Sequence, residues 1–548
     1  MTNKPKIIGS ICEYCGVPAY LCDHYRGQVD KSGQKLPEVA ERIISEAVTA
    51  APEKFVKSTP LNSKKTTKKL LIGCVDFSEL TGMPMCLYNL GKEMIGLGYE
   101  ISLVSTIGGE IAEMATAAGF KLFSWDQNYT DDYQALILNE PISAKLLDQF
   151  PDVPAYNIIH SARPEDEPIP DCPQIRKYFY VKGTDFEYIK DKVPLKKVQR
   201  LPIPIDFDRF YRGRKTDHAG YTILAPCTFD ELRKPMLKNL VKRAKENPEI
   251  KVIIKGKNYG LKIDRSALPP NVVIDETPAK NIEDFMAEAD EVAGILLGTV
   301  TMEAWAMGLN TSVYDLEGNY EMVKPPKGFA ITHNAKMVAI KLNRILNEKW
   351  ADMVIPHHDQ ADLLAQTLKT IPLRNYNVVI VRGTFFAAAC NKGAKLAETD
   401  KIIFANDDLV LNPRVLWKIL DAPEPIVGVS QVYPDGEKLC HGIFINENGN
   451  YELTTDPGKT LYPSGAFFKV DKAVWKELGG LCEEYINGGE DQDLFMSALE
   501  AGHKTAVIDD PIVHYCSRST GRFDHLTEND IILRKCWPEK RLRKLFKL

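Results

Sequence analysis

Apolar and polar positions along this chain follow two rhythms, and the changes between them mark out its elements. Leu70-Leu71-Ile72-Gly73-Cys74-Val75 is a continuous apolar run, which predicts a buried strand. After the loop Leu80-Thr81-Gly82-Met83-Pro84, apolar residues recur at Leu87, Leu90, Met94 and Leu97, with Gly98 just beyond, which predicts a helix and its stop. Ile101-Ser102-Leu103-Val104-Ser105 returns to strand. Together they form a βαβ unit whose helix start faces the carboxyl ends of the strands, the usual ligand crevice. Tyr156-Asn157-Ile158-Ile159 is a further apolar run, and His160 follows it. Later, Val378-Val379-Ile380-Val381 and Lys401-Ile402-Ile403-Phe404-Ala405 read as buried strands. Asp493 to Leu499 reads as a helix that ends at Gly502.

The polar residues that follow the last strand need explaining. Asn406-Asp407-Asp408 puts two carboxylates at the end of a buried element, and carboxylates go inside only when paired or bound to metal. A hard divalent cation that holds a diphosphate is one such reason. Gly488-Gly489-Glu490-Asp491-Gln492-Asp493 opens the later helix with acids, where they suit its dipole. Taken singly, an Asn-Asp-Asp is a common turn and such acids are common helix starters. His514, after another apolar strand, is as readily a satisfied core residue as a ligand.

Composition bounds the rest. A chain of 548 residues exceeds one core, so about three or four units are expected. Hydrophobic content of 44% with 26% charged residues fits an ordinary globular protein. A net charge of −5 gives no overall attraction to nucleic acid or anionic lipid. No apolar run is long enough for a transmembrane helix, and the start of the sequence lacks a signal-peptide core. With scattered cysteines, this reads as cytoplasmic.

The exception among the cysteines is Cys12-x2-Cys15-x6-Cys22-x-His24, a tetrahedral set for a structural Zn2+. The alternative is reduced surface cysteines on a hairpin. Residues 37–49 read as a helix with Pro37 in its first turn. Lys57 to Lys69 holds five Lys and no acid, as an exposed linker would. At the other end, Arg534 to Leu548 carries seven Lys or Arg and one acid, interleaved with Trp537, Leu542, Leu545 and Phe546. That predicts a short basic amphipathic helix, either packed on the preceding domain or in peripheral contact with an anionic membrane.

Residues 352–517 resemble family-2 glycosyltransferases of GT-A fold. Met353-Val354-Ile355-Pro356 is similar to the first strand, Phe386 to Gly393 to the segment around its Asn, and Asn406-Asp407-Asp408 to the DXD-type motif. Ser464-Gly465-Ala466-Phe467-Phe468 through Leu478-Gly479-Gly480 is similar to the stretch leading into the catalytic Glu490-Asp491. The resemblance implies that Asp408, with His514, holds Mn2+ or Mg2+ against the diphosphate, and that Asp491, beside Glu490, is the general base of an inverting transfer. Pro356, His357, Arg382, Asn391 and Asp407 would shape the donor pocket. The family's Asp-x-x-Ser loop after the second strand is missing, since Val381 runs into Arg382-Gly383-Thr384.

Residues 69–345 resemble family-4 glycosyltransferases of GT-B fold, through Leu201 to Phe210 at the junction of two halves and Ile295 to Gly308 near the end. This implies donor contacts from Gly82, Arg233, Lys234 and Glu303, with Glu303 in a first helical turn accepting from ribose hydroxyls. His160 would line the acceptor side or be structural. The position matching the first of the family's two glutamates is Ile295. The expected fold is α/β: a zinc-knuckle-like segment (1–50), a linker (51–68), two Rossmann-like halves (69–205 and 206–348), a GT-A domain (349–530) and a basic tail (531–548). The expected function is transfer of sugar from a nucleotide-sugar donor to a glycan, lipid-linked or nucleic-acid acceptor. The alternatives are a glycosyltransferase acting on hydroxymethylated DNA and a non-catalytic nucleotide-sugar-binding scaffold.

Overall fold

A computed structural model describes residues 7–8, 11–12, 56–58 and 68–546, except 81, 161–167, 278–280, 359, 383–384, 447–449 and 517–524. Cys15, Cys22, His24 and the helix expected at 37–49 lie outside the described residues, and Cys12 is described only as backbone in the strand Ile11–Cys12. The chain divides into two compact units, Lys64–Glu348 and Lys349–Leu548 with Met1–Ser63.

The Lys64–Glu348 unit contains two mainly parallel sheets. In the first, Lys68–Phe77 lies between Ala135–Asn139 and Tyr99–Ile107, and the order continues outward to Val198–Arg200 on one side and Lys121–Phe123 on the other. In the second, Tyr221–Pro226 lies between Ile250–Lys255 and Glu291–Ile295, and an antiparallel Tyr320–Val323 closes one edge. Strands buried on both faces must be apolar throughout, which is why Leu70, Leu71 and Ile72 are all inside. The helix Gly82–Gly96 turns Leu87, Leu90 and Met94 inward, and Gly98 follows at φ 85°. The helix Ala335–Leu346 returns to it, so that Val338, Leu342 and Leu346 share one core with those side chains. Each first strand has its sequence successors on opposite sides. That reversal of order opens a crevice at the carboxyl ends of the strands.

The other unit is built on one mixed sheet of nine strands. Ala351–His357 pairs in parallel with Tyr376–Arg382 and Lys401–Ala405. Lys401–Ala405 continues antiparallel to Phe467–Asp471, which pairs with Ile426–Val432, which in turn runs parallel to Thr505–His514. One finding revises the sequence reading and one decides between its alternatives. Val56–Ser58, inside the expected linker, is a strand antiparallel to Tyr376–Arg382 at the edge of this sheet. The basic tail packs on its domain, the first of the two readings given for it: helices Leu526–Cys536 and Glu539–Phe546 bury Leu533, Trp537 and Leu542 in the core. Its apolar side is used up by the fold, with Arg541 stacked 3.8 Å from the Trp537 ring and paired with Glu500. Among the described residues, no helix is long and apolar enough to cross a membrane.

Candidate functional site

In the Lys349–Leu548 unit, the residues singled out by motif converge at the carboxyl ends of the central strands. The strand Lys401–Ala405 ends at Asn406, whose N–H donates to the Ala466 carbonyl at 2.9 Å. The following turn is pinned by Thr367, a fully buried hydroxyl within 2.9 Å of the Asp407 carbonyl and 2.8 Å of the Leu409 carbonyl. Asp407 and Asp408 therefore leave the turn in different directions. Asp407 accepts from His357 Nδ1–H at 2.6 Å. His357 and Arg382 are the register-matched last residues of adjacent strands, and Pro356 directly precedes His357. Asp408 turns inward, where the short strand Leu409–Val410 pairs with the end of Thr505–His514 and matches Leu409 to His514.

That register brings His514 Nε2 to 3.3 Å from Asp408 Oδ1, with both side chains buried. His514 Nδ1–H donates to Gln431 Oε1 at 2.8 Å. A neutral imidazole that donates from Nδ1 carries a lone pair on Nε2. Nε2 has no hydrogen-bond partner among the described residues, so in the neutral ring an acceptor nitrogen faces a carboxylate oxygen in a buried place. A cation between them resolves that conflict, and one nitrogen with one carboxylate oxygen suits Mn2+ or Mg2+. Among the described residues no group of three or more His, Cys, Asp or Glu could hold a metal. A pair is nevertheless what a cation seated mainly on phosphate oxygens and water takes from a protein. The residues fit such an ion.

Asp491 lies in the first turn of the helix Glu490–Glu500, just after Asn487, Gly488 and Gly489, all with positive φ. This sharp turn is tied down by Asn487, which accepts from the Phe386 N–H, and by buried Glu490, which accepts from the Gly488 N–H at 2.6 Å. Asp491 accepts from the Gly465 N–H at 3.0 Å. A Cβ on Gly465 would lie 2.3 Å from the Asp491 carboxylate, so only glycine allows this approach. The segment Ser464-Gly465-Ala466 thus touches the Asn406 turn through one residue and Asp491 through its neighbour. Trp537 Nε1–H donates to Asp493 at 2.6 Å, so the C-terminal helices brace the same helix.

Asn391 is placed otherwise than expected. Its amide donates to the Leu481 carbonyl and to Glu483, and accepts from the Leu481 N–H at 2.9 Å. The loop 480–483 takes up its hydrogen-bonding capacity, so it holds that loop instead of facing a donor. Thr367, Gln431 and Gly465 were not read from the sequence as site residues. Gln431 gave a signal, as a large polar residue ending the apolar run Ile426-Val427-Gly428-Val429.

In the Lys64–Glu348 unit, the helix starting at Gly82 meets the helix Thr299–Met307. Thr299 Oγ1 lies 3.5 Å from the Gly82 carbonyl and 3.6 Å from Cys86 Sγ. Glu79, just before, pairs with Lys257 and Tyr259 from the second sheet's half. Glu303 is the fifth residue of its helix, one turn deeper than the first-turn position expected for it, and it is buried. Burial pushes its carboxyl up to about 7, opposed by Arg209 and reinforced by Glu283. Arg209 is itself paired with Glu283 at 2.7 Å. Arg233 and Lys234 begin the helix Lys234–Glu246, as a phosphate grip would, but each holds a local acid: Arg233 pairs with Asp230 and Lys234 with Glu231. His160 directly follows the strand Ala155–Ile159, and burial, with Lys182 nearby, pushes it down to about 3, so it is neutral at physiological pH.

No family model matches the chain, and no curated protein is similar to it in sequence. Among solved structures, a glycosyltransferase from Rickettsia africae is similar at TM-score 0.37 and 13% identity, over 51% of this chain and 88% of its own. Alr3699/HepE from Anabaena, in complex with UDP and glucose, is similar at TM-score 0.37 and 13% identity, over 51% of this chain and 95% of its own. A UDP-N-acetylglucosamine 2-epimerase from Rickettsia bellii is similar at TM-score 0.34 and 14% identity, over 50% and 87%. At these values they stand as similarities alone, and the functional reading rests on the residues.

Proposed function

We propose that the Lys349–Leu548 unit is a cation-dependent, inverting glycosyltransferase that moves a sugar from a nucleotide-sugar donor to an acceptor hydroxyl. The observation that carries this reading is the segment Ser464-Gly465-Ala466, which seats the Asn406-Asp407-Asp408 turn and Asp491 side by side. Asp408 and His514 would hold Mn2+ or Mg2+. When bound, such an ion supplies charge neutralisation for the leaving diphosphate. Asp491 takes the proton of the acceptor hydroxyl, whose oxygen then attacks the anomeric carbon from the face opposite the diphosphate. The Gly465 and Gln492 N–H groups each hold one Asp491 oxygen, on a side chain that is only partly buried. His357, through Asp407, stiffens the donor side, and Arg382 at the end of the neighbouring strand adds positive charge there.

The test separates the two acids. In Asp408→Ala, Mn2+-dependent donor binding and transfer should fall together. In Asp491→Asn, donor binding should stay near that of the parent while turnover falls about 10²–10⁴-fold, the usual worth of a positioned base. Near-parent turnover in Asp491→Asn would remove it from that role.

For the Lys64–Glu348 unit the reading is a nucleotide-sugar crevice of GT-B type, with Gly82, Arg233, Lys234 and Glu303 on the donor side and His160 on the acceptor side. The local acids on Arg233 and Lys234 support a resting state in which a diphosphate must displace Asp230 and Glu231 before it binds.

A further inference from the structure

The strand Ile426–Val432 carries a buried amide where a fully apolar strand would pack as well. Gln431 is 2% exposed. The ladder is irregular on both sides of it. Toward Thr505–His514 the register shifts between Val429↔Ile508 and Gln431↔Ile512, and toward Lys438–Cys440 it shifts between Gln431 and Val432. Paired bulges next to a site re-aim a side chain that regular pleating would point elsewhere. Here the re-aimed group is the Gln431 carbonyl, which receives His514 Nδ1–H at 2.8 Å, while its Nε2 has no hydrogen-bond partner among the described residues. Burying an amide with one end unsatisfied is costly, so the arrangement asks for a use.

We infer that Gln431 is a positioning residue for the cation site: by accepting from Nδ1–H, it fixes the His514 tautomer and ring so that the Nε2 lone pair points at the place facing Asp408. The inference rests on the cation reading above. A histidine that ligates a cation through one nitrogen needs its other N–H held, and losing such a partner costs about 10–100-fold in affinity. The opposite amide orientation would donate to Nδ1 and leave Nε2 protonated against Asp408, closing the site to a cation. The tautomer therefore discriminates the two.

The experiment titrates Mn2+ alone into the full chain, following loss of the free-ion EPR signal, for the parent, Gln431→Met, Gln431→Glu and Asp408→Ala. Gln431→Met should weaken the Asp408-dependent binding about 10–100-fold, and Gln431→Glu, whose carboxylate still accepts from Nδ1–H, should stay within about threefold of the parent. In Mg2+-loaded, 15N-histidine-labelled protein, His514 should be protonated on Nδ1, and that state should be lost in Gln431→Met. Parent-like Mn2+ binding in Gln431→Met, with binding lost in Asp408→Ala, would overturn the inference and leave the cation site standing. Parent-like binding in Asp408→Ala would remove the cation reading and the inference with it. Nε2 protonation in the Mg2+-loaded parent would overturn the inference by itself. Should Gln431→Met fail to fold, Gln431→Glu and the tautomer measurement decide.

Discussion

The two units handle charge at their candidate sites in opposite ways. In Lys349–Leu548, acceptor groups are brought close and fixed by the backbone: Asp408 faces Nε2 of His514, and Asp491 accepts from the Gly465 and Gln492 N–H groups. In Lys64–Glu348, the charges at the matching place are quenched. Arg233 and Lys234 each hold an acid from their own loop, Arg209 holds Glu283, and burial pushes the Glu303 carboxyl up to about 7. Charges and dipoles held in place by a rigid frame are what electrostatic catalysis uses. Charges already paired must be exchanged, and the exchange subtracts from ligand affinity.

The largest effect that would break this contrast is on turnover. Asp491→Asn should cost about 10²–10⁴-fold in metal-dependent transfer, while Glu303→Gln should leave that activity unchanged. A loss in Glu303→Gln as deep as that in Asp491→Asn, in a steady-state assay with Mn2+, would place the chemistry in the other unit. Next in size is a stability effect. Trp537 is buried, stacks under Arg541 and donates to Asp493, two residues beyond Asp491. Trp537→Ala should destabilise the Lys349–Leu548 unit by about 3–5 kcal/mol, the usual cost of emptying a buried aromatic site. Two-phase thermal unfolding should show one transition move down and the other stay. Unmoved transitions would mean that the C-terminal helices are dispensable.

Much of this architecture could be read from pattern, because buried parallel strands have to be apolar and helices have to show their stripe. The strands at Leu70, Ile101, Met353, Val378 and Lys401 and the helices after Gly82 and Gly489 lie where the pattern predicted them. The acid motifs were legible because carboxylates beside buried strands are rare without a use. What escaped depends on register and on long-range pairing. Gln431 reaches His514 only because bulges interrupt two ladders, and Gly465 matters only because Asp491 approaches from a helix 26 residues on. Val56–Ser58 is polar enough to read as linker, yet it pairs with the edge of a sheet, a long-range contact that no local pattern announces. The tail left both a packed and a membrane-facing reading open, with packing favoured, because a helix with one apolar face serves either surface.

The third effect belongs to Glu303. Its carboxyl, near 4.5 when exposed, is pushed up to about 7 by burial. The folded state then holds the proton more tightly than the unfolded one, so this group's stability contribution is full below about pH 4.5. It is lost as pH rises through about 7. By pH 8 the loss amounts to roughly 3 kcal/mol at most. Glu303→Gln should therefore raise the melting temperature of the Lys64–Glu348 unit at pH 8 and make little difference at pH 5. A pH-independent difference in differential scanning calorimetry would mean that the Arg209 and Glu283 charges already balance the site.

The smallest effect probes the quenched cations directly. Asp230 accepts from the Arg233 N–H at 3.0 Å and from the Thr228 hydroxyl at 2.7 Å, as well as pairing with the guanidinium. Asp230→Asn keeps an acceptor for the turn and removes only the charge that competes for Arg233. If a diphosphate has to displace that charge, pyrophosphate should bind the variant about two- to fivefold more tightly, in keeping with the modest worth of a partly exposed ion pair. Arg233→Ala should lose that binding. Both are measured by calorimetry in an Asp408→Ala background, so that the cation site does not contribute. The sign of the change is what matters. Tighter binding means that Asp230 occupies the place a phosphate would take. Weaker binding means that Asp230 aims Arg233 at the ligand, and the contrast drawn between the two units would then rest on Glu303 and Arg209 alone.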